Sequence, residues 1–254
     1  MRNVRVRLSY DGSRFFGWQR QEGFESVQEA LEDAIESLTG EHVVVHGAGR
    51  TDTGVHALAQ AANFHVATRL DDERLLFALN AHLPAGGVLN ELETCDDGFH
   101  ALRDAIGKHY VYVVATTRFR PAFGESFCHW VPGRLDVARM REAARVIVGE
   151  HDFTSFASAG SPRRTNVRRV IGLHLVEGRG RLSLAVRGNG FLYNMVRTIA
   201  GTLLEVGRGK FSAHDVERIL EARDRSLAGP TAPAAGLYLM RVLYPQGVWP
   251  RTRA

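Results

Sequence analysis

The reactive side chains of this sequence concentrate in eleven residues, His46-Gly-Ala-Gly-Arg-Thr-Asp-Thr-Gly-Val-His56. Three glycines within eight residues let the backbone turn tightly and let a ligand come close to it. The turn holds one guanidinium, Arg50, and one carboxylate, Asp52. Three readings stay open. The stretch is a structural turn, because Asp and Gly populate turns for conformational reasons alone. It is a phosphate cradle, a weaker reading, since Arg50 is the one cation nearby and no Gly-Lys-Ser/Thr follows. Or Asp52 is a catalytic carboxylate, acting as nucleophile or base. Asp52-Thr-Gly54 also spells the aspartic-protease tripeptide, but there two copies face each other and share a proton. This chain has one copy, preceded by Gly49-Arg-Thr51 where apolar strand residues belong.

Other constellations are less concentrated. In Lys108-His-Tyr-Val-Tyr112, strand alternation puts Lys108, Tyr110 and Tyr112 on one face, either as a cross-strand core pair or as a platform for a stacked base. Gly188-Asn-Gly-Phe-Leu-Tyr-Asn-Met-Val-Arg197 places Arg197 on the first turn of an apolar helix, where it either snorkels outward or needs a partner. Ser161–Val170 packs Arg163, Arg164, Arg168 and Arg169 together without one acid, which fits a solvated loop or a phosphate-contacting edge. His42 and His46, read as strand residues, lie roughly 13 Å apart and cannot share a metal. Gly207-Arg-Gly-Lys-Phe-Ser212 echoes a P-loop, but Phe211 stands where the magnesium-binding hydroxyl belongs, so a helix stop and a cap are expected.

The elements that must position these groups follow from periodicity. Val4, Val6, Leu8 and Tyr10 alternate with Arg5, Arg7 and Ser9, predicting a half-buried strand. A loop rich in Gly and aromatics, Asp11–Arg20, follows. Ser26 and Glu29 form a capping-box pattern before the apolar face Val27, Ala30, Leu31, Ala34, Ile35 and Leu38, and Gly40 ends that helix. Strands are expected at Val43–Val45 and Gln60–Ala67, a helix at Asp71–Asn80 and a strand near Val88–Glu93, giving β-α-β-β-α-β. The second half repeats the scheme loosely. It has a strand at Lys108–Thr116, a helix at Asp136–Val148, a hairpin of Val167–Val176 with Arg181–Arg187, helices at Asn194–Val206 and Ser212–Ala222, and a strand at Leu237–Tyr244. Half-buried strands with helices on one face argue α+β, in two similar units. The boundary falls near Leu102–Gly107, dividing 1–104 from 105–254.

Composition narrows the class. The 254 residues suffice for one large domain or two modest ones, and 44% hydrophobic with 24% charged residues is a globular balance. No apolar run approaches a membrane span and no signal-peptide pattern opens the chain. Two cysteines, Cys95 and Cys128, give neither a disulfide framework nor zinc spacing, so a reducing cytoplasm is the expectation. The net charge of +4 is compatible with a nucleic-acid partner without requiring one.

Gly49-Arg-Thr-Asp-Thr-Gly-Val-His-Ala57 resembles the catalytic loop of the bacterial tRNA pseudouridine synthase A (TruA) family. Matches run the full length: Tyr10-Asp-Gly-Ser13, Phe16-Gly-Trp-Gln-Arg20, Ser26-Val-Gln28, Phe99-His-Ala101, Asp152-Phe-Thr-Ser-Phe156, Met195-Val-Arg197 and Ala232–Leu239. The resemblance implies two tandem ferredoxin-like (RRM-like) β-α-β-β-α-β units, their antiparallel sheets joined around a central basic cleft. It implies conversion of uridine to pseudouridine at positions 38, 39 and 40 of the tRNA anticodon stem-loop, by a homodimer, with no cofactor and no metal. By matching motif, Asp52 is the nucleophile, Tyr110 contacts the uracil, Arg197 pairs with the catalytic carboxylate, and Arg50 holds the flipped base. Phe99, His100 and Arg103, with Gly160–Arg164 including Arg163 and Arg164, match RNA-contacting stretches. This chain reads Phe99-His-Ala-Leu-Arg103 where family members read Phe-His-Ala-Arg-Phe; the basic residue comes one place later, on the opposite face of an extended segment. The alternative is a non-catalytic RNA-binding protein on the same fold. Asp52 separates the two, because a pure binder has no reason to aim a carboxylate at RNA phosphates.

Overall fold

The computed structural model describes residues 1–158 and 165–249. It is a mixed α+β protein of two compact units, Met1–Ile106 with Leu239 onward, and Gly107–Tyr238.

In the first unit β1 (Arg2–Tyr10), α1 (Val27–Thr39), β2 (His46–Gly47), β3 (His56–Val66), α2 (Asp72–His82) and β4 (Gly87–Thr94) follow one another. The strands pair antiparallel in the order β4-β1-β3-β2, with Val6 opposite both Ala62 and Leu92. Val4, Val6, Leu8 and Tyr10 are buried, as their alternation predicts, and so are Val27, Leu31 and Ile35 of α1 and Leu75 and Leu79 of α2. Ser26 caps α1 by accepting from the Glu29 N–H at 3.2 Å, and Asp71 caps α2 by accepting from the Arg74 N–H at 2.8 Å.

Two expectations shift here. Val43–Val45 are not strand. The Gln28 amide donates to the Val45 carbonyl and Glu32 Oε1 accepts from the Val45 N–H, at 3.2 and 2.9 Å, so α1 side chains take the backbone groups that a ladder would use. The ladder begins only at His46. His42 therefore stays at the end of α1, 3.0 Å from Glu36, and is not the strand residue its spacing from His46 suggested. Strand β3 starts at His56, four residues early, with an irregular register between the Leu8–Gln60 and Tyr10–Ala57 pairs that hid its alternation. The second face of β1 is also covered rather than left to water. Arg5 and Arg7 lie 5.0 and 4.5 Å from the Trp249 ring centroid, and Phe99, Tyr244 and Trp249 pack with centroids 5.4–5.8 Å apart.

The second unit runs β5 (Gly107–Ala115), β6 (His129–Trp130), α3 (Val137–Ile147), β7 (Gly149–Asp152), β8 (Val167–Gly178), β9 (Arg181–Gly188), α4 (Met195–Gly207), α5 (Ala213–Ala222) and into β10 (Leu237–Leu243). Its sheet is antiparallel in the order β5-β9-β8-β7, and β6 adds two parallel residues to the end of β5. The short β6 and β7 carry no periodicity of their own and were not expected. Gly207 and Ser212 are the helix stop and cap expected of that stretch. The Ser212–Asp215 box closes both ways, the Ser212 N–H donating to Asp215 at 2.8 Å and the Asp215 N–H to the Ser212 hydroxyl at 3.2 Å.

Helix α4 is buried along nearly its whole length, because α3 packs on it and the segment 229–233 crosses it closely. The Gly229 N–H donates to Thr202 Oγ1 at 3.0 Å, and a Cβ on Gly201 would sit 1.8 Å from the Pro230 carbonyl oxygen. Neither backbone can yield. Gly201→Ala is expected to destabilise the protein by about 3 kcal/mol despite the better helix propensity of Ala. A fall in the urea midpoint at unchanged m checks this, and an unshifted midpoint refutes it.

Candidate active site

Residues 49–56 are held in the first unit by the aromatic, glycine-rich loop that follows β1. The Trp18 N–H donates to the Thr51 carbonyl at 3.0 Å, and the Tyr10 and Thr51 hydroxyls meet at 2.8 Å. The Gly54 N–H donates to the Gly12 carbonyl at 3.2 Å, and the Gly12 N–H to His56 Nδ1 at 3.0 Å. A Cβ on Gly12 would lie 2.1 Å from the Val55 carbonyl oxygen, so only glycine fits there. Within the loop, the Val55 N–H donates to the Asp52 carbonyl at 3.0 Å with Gly54 at φ +80°, a turn with Asp52 at its first position. The Gln60 amide, fully buried, donates to the Gly49 carbonyl at 2.8 Å. Thr51 and Val55 are anchored inside, Asp52 is half-buried between them, and Arg50 is exposed. The arrangement presents one carboxylate from a rigid loop instead of leaving it to a flexible one.

Phe99, His100 and Arg103 lie in the same unit. Phe99 is 7% exposed and belongs to the aromatic layer over β1. A carboxamide pair fixes the segment: Asn63 donates to Asn3 Oδ1 at 3.0 Å, Asn3 donates to the Phe99 carbonyl at 2.9 Å, and Asn63 Oδ1 accepts from the Ala101 N–H at 2.9 Å. His100 stacks on His46 with centroids 5.0 Å apart. Burial first, then the charges of Arg103 and His46, holds its imidazole below the ordinary value. A neutral ring agrees with Nδ1 accepting from the Leu102 N–H at 3.2 Å. The segment 100–103 is not extended: the Asp104 N–H donates back to the His100 carbonyl at 3.1 Å, which makes a turn. The opposite-face argument for Arg103 therefore lapses, and its side chain is exposed beside His100.

Tyr110 and Arg197 belong to the second unit. Tyr110, on β5 opposite Val186, is 7% exposed and meets Phe191 edge to face at 5.4 Å. Tyr112, two residues on, is core, with its hydroxyl donating to the Pro233 carbonyl at 2.9 Å. Burial pushes that phenol above its usual range, opposed by the nearby Arg197 charge. Arg197 does not snorkel. Its Nε donates to the Ala232 carbonyl at 2.7 Å and its Nη1 to Asn194 Oδ1 at 2.8 Å, while the Ala232 N–H returns a bond to the Arg197 carbonyl. Asn194 sits at φ +61° and uses its amide on Arg197 and on Ser158 Oγ (3.0 Å) instead of capping α4. Two donors are thus spent on orientation, which fixes where the rest of the guanidinium points.

The first unit brings the Asp52 loop, Arg50, Phe99, His100 and Arg103 to one body, and the second brings Tyr110 and Arg197 to another. Arg163 and Arg164 lie outside the described residues. Sequence reading missed Asn3, Asn63, Gln60 and Asn194. Asn3 does carry a signal, as a carboxamide at a strand position whose neighbours of the same parity are arginines.

A family model described as tRNA pseudouridine synthase matches residues 8–100 and 143–245. Among curated relatives, a tRNA pseudouridine synthase A of Thermoanaerobacter sp. is 41% identical over 96% of this chain and all of its own length. The enzymes of that name from Acetivibrio thermocellus and Bacillus velezensis are each 44% identical, over 96% and 95% of this chain and 100% and 98% of theirs.

Proposed function

This chain belongs to the tRNA pseudouridine synthase family, and from that premise we propose that it isomerises uridine in tRNA, at positions 38, 39 and 40 of the anticodon stem-loop. The observation that carries the reading is the anchored Gly49–Ala57 loop with its single carboxylate, Asp52, at the start of the turn. The reaction breaks the N1–C1′ bond, turns the uracil and joins C5 to C1′; the C5 proton leaves and N1 ends protonated. Nothing is oxidised and no phosphate moves. A carboxylate suffices as the nucleophile, attacking either C1′ or ring C6. A stacked uridine is out of reach, so the nucleotide is extruded at a cost of a few kcal/mol and read outside the stack.

In this reading Asp52 attacks, Tyr110 contacts the extruded uracil and Arg50 holds the base out. Arg197 keeps the carboxylate ionised, since a desolvated Asp resists ionisation without a cation. Phe99 acts by seating His100 and Arg103 toward RNA, with Arg163 and Arg164 as further phosphate contacts. The halves 1–104 and 105–254 are taken as two ferredoxin-like units around a basic cleft. Family resemblance also implies a homodimer, and the cysteine usage a reducing cytoplasm. The strand order β4-β1-β3-β2 of the first unit supports the ferredoxin-like part of this. The test is tritium release from transcript tRNA carrying C5-labelled uridine. Release at uridines 38–40 is the expected result; tight binding without release would leave a non-catalytic RNA binder.

A further inference from the structure

The second unit carries a cationic, aromatic surface that none of the roles above uses. After β5, Arg118, Phe119, Arg120 and Phe123 are all exposed, Phe119 by 72% and Phe123 by 93%. The tip of the β8–β9 hairpin, Arg179-Gly180-Arg181, lies against this segment. The Thr116 N–H donates to the Gly180 carbonyl at 2.8 Å, and Ala115 pairs with Arg181. Four arginines and two phenylalanines therefore share one end of the sheet. Of the acids near them among the described residues, Glu125 is taken by Arg120 and Glu177 of β8 by Arg141. The Arg118 guanidinium lies 5.1 Å from the Phe119 centroid, in cation–π contact. Arg179 holds φ +45° in a turn position that favours Asn or Gly, an unfavourable backbone state kept at an exposed arginine.

We propose that this face binds the phosphate backbone of the RNA substrate at a point distant from the reacting uridine. The proposal rests on the tRNA reading above. Exposed arginines interleaved with exposed aromatic rings suit a partner that offers both phosphates and the faces of unpaired bases. From Tyr110 to Ala115 is five residues of strand, roughly 17 Å, so the face reaches nucleotides well beyond the one in reaction.

The experiment uses the full chain and an unmodified tRNA transcript, with Arg118→Ala/Arg179→Ala, Phe123→Ala and the charge reversal Arg118→Glu. The double variant is expected to raise Kd about 10-fold and to flatten the log Kd against log salt slope by about two units. The single-turnover rate at saturating enzyme is expected to stay within about twofold of wild type. Phe123→Ala is expected to weaken binding at unchanged slope, and Arg118→Glu to weaken it more than Ala at that position. The proposal is overturned if Kd and slope hold in the arginine variants, or if sedimentation shows that they change the oligomeric state. A wild-type protein that neither binds nor converts the transcript would refute the tRNA reading instead. Phe123, being so exposed, keeps the test open should the double variant fold poorly.

Discussion

Asp52→Asn is expected to bind tRNA within a few-fold of wild type and to convert none of it. The side chain keeps its size and its place at the start of the turn, where the Val55 N–H bonds the backbone carbonyl of residue 52. What disappears is the anionic oxygen. A neutral amide cannot attack C1′ or C6, and Thr51, buried and bonded to Tyr10, does not take its place. Single-turnover conversion should fall by at least ~10³-fold, about 4 kcal/mol of transition-state stabilisation. Affinity should hold because Asp52 is not a phosphate contact; removing a negative charge, if anything, tightens binding to a polyanion. The measurement is pseudouridine yield with enzyme in excess, alongside a filter-binding Kd. Turnover within tenfold of wild type would remove Asp52 from the role of nucleophile.

The loop that carries this prediction was legible because its chemistry is local. Gly12, Gly17 and Gly54 stand where backbone approaches backbone or φ is positive, and such demands write themselves into the sequence as glycine. Helices α1, α3 and α5 were legible for a similar reason: their apolar faces and caps lie within a few residues of one another. What stayed hidden depends on partners distant in the chain. Val43–Val45 reads as strand until Gln28 and Glu32 reach their backbone groups from α1. The Arg5/Arg7 face of β1 reads as solvent-facing until Trp249 covers it, nearly the whole chain away. The Asn3–Asn63 pair that seats Phe99–Ala101 joins residues 60 apart. Asn194 is the most instructive case. Sequence places it at the start of a helix, whereas its side chain is turned to Arg197 and not to the helix end, and nothing local in the sequence foretells that use.

Arg197→Gln is expected to slow conversion about 10²-fold at neutral pH and to move the acid limb of the kcat/KM profile upward. The sign follows from the proposed role. A cation beside a carboxylate favours the ionised form and lowers its pKa; removing the cation raises it, and activity requires the ionised form. The variant should therefore recover part of its lost rate as pH rises. Arg197→Lys keeps the charge, so its acid limb should move less. It still gives up the fork that places Nε on the Ala232 carbonyl and Nη1 on Asn194, so its plateau rate should fall while its pH profile stays near wild type. The two substitutions thus separate charge from orientation at a single position. Each leaves the Ala232 carbonyl without its side-chain donor, so thermal midpoints must accompany the kinetics. Single-turnover rates from about pH 5 to 9 with enzyme in excess decide the matter. A Gln variant that is uniformly slower, with its acid limb unmoved, would mean that Arg197 places the RNA and does not govern the ionisation of Asp52.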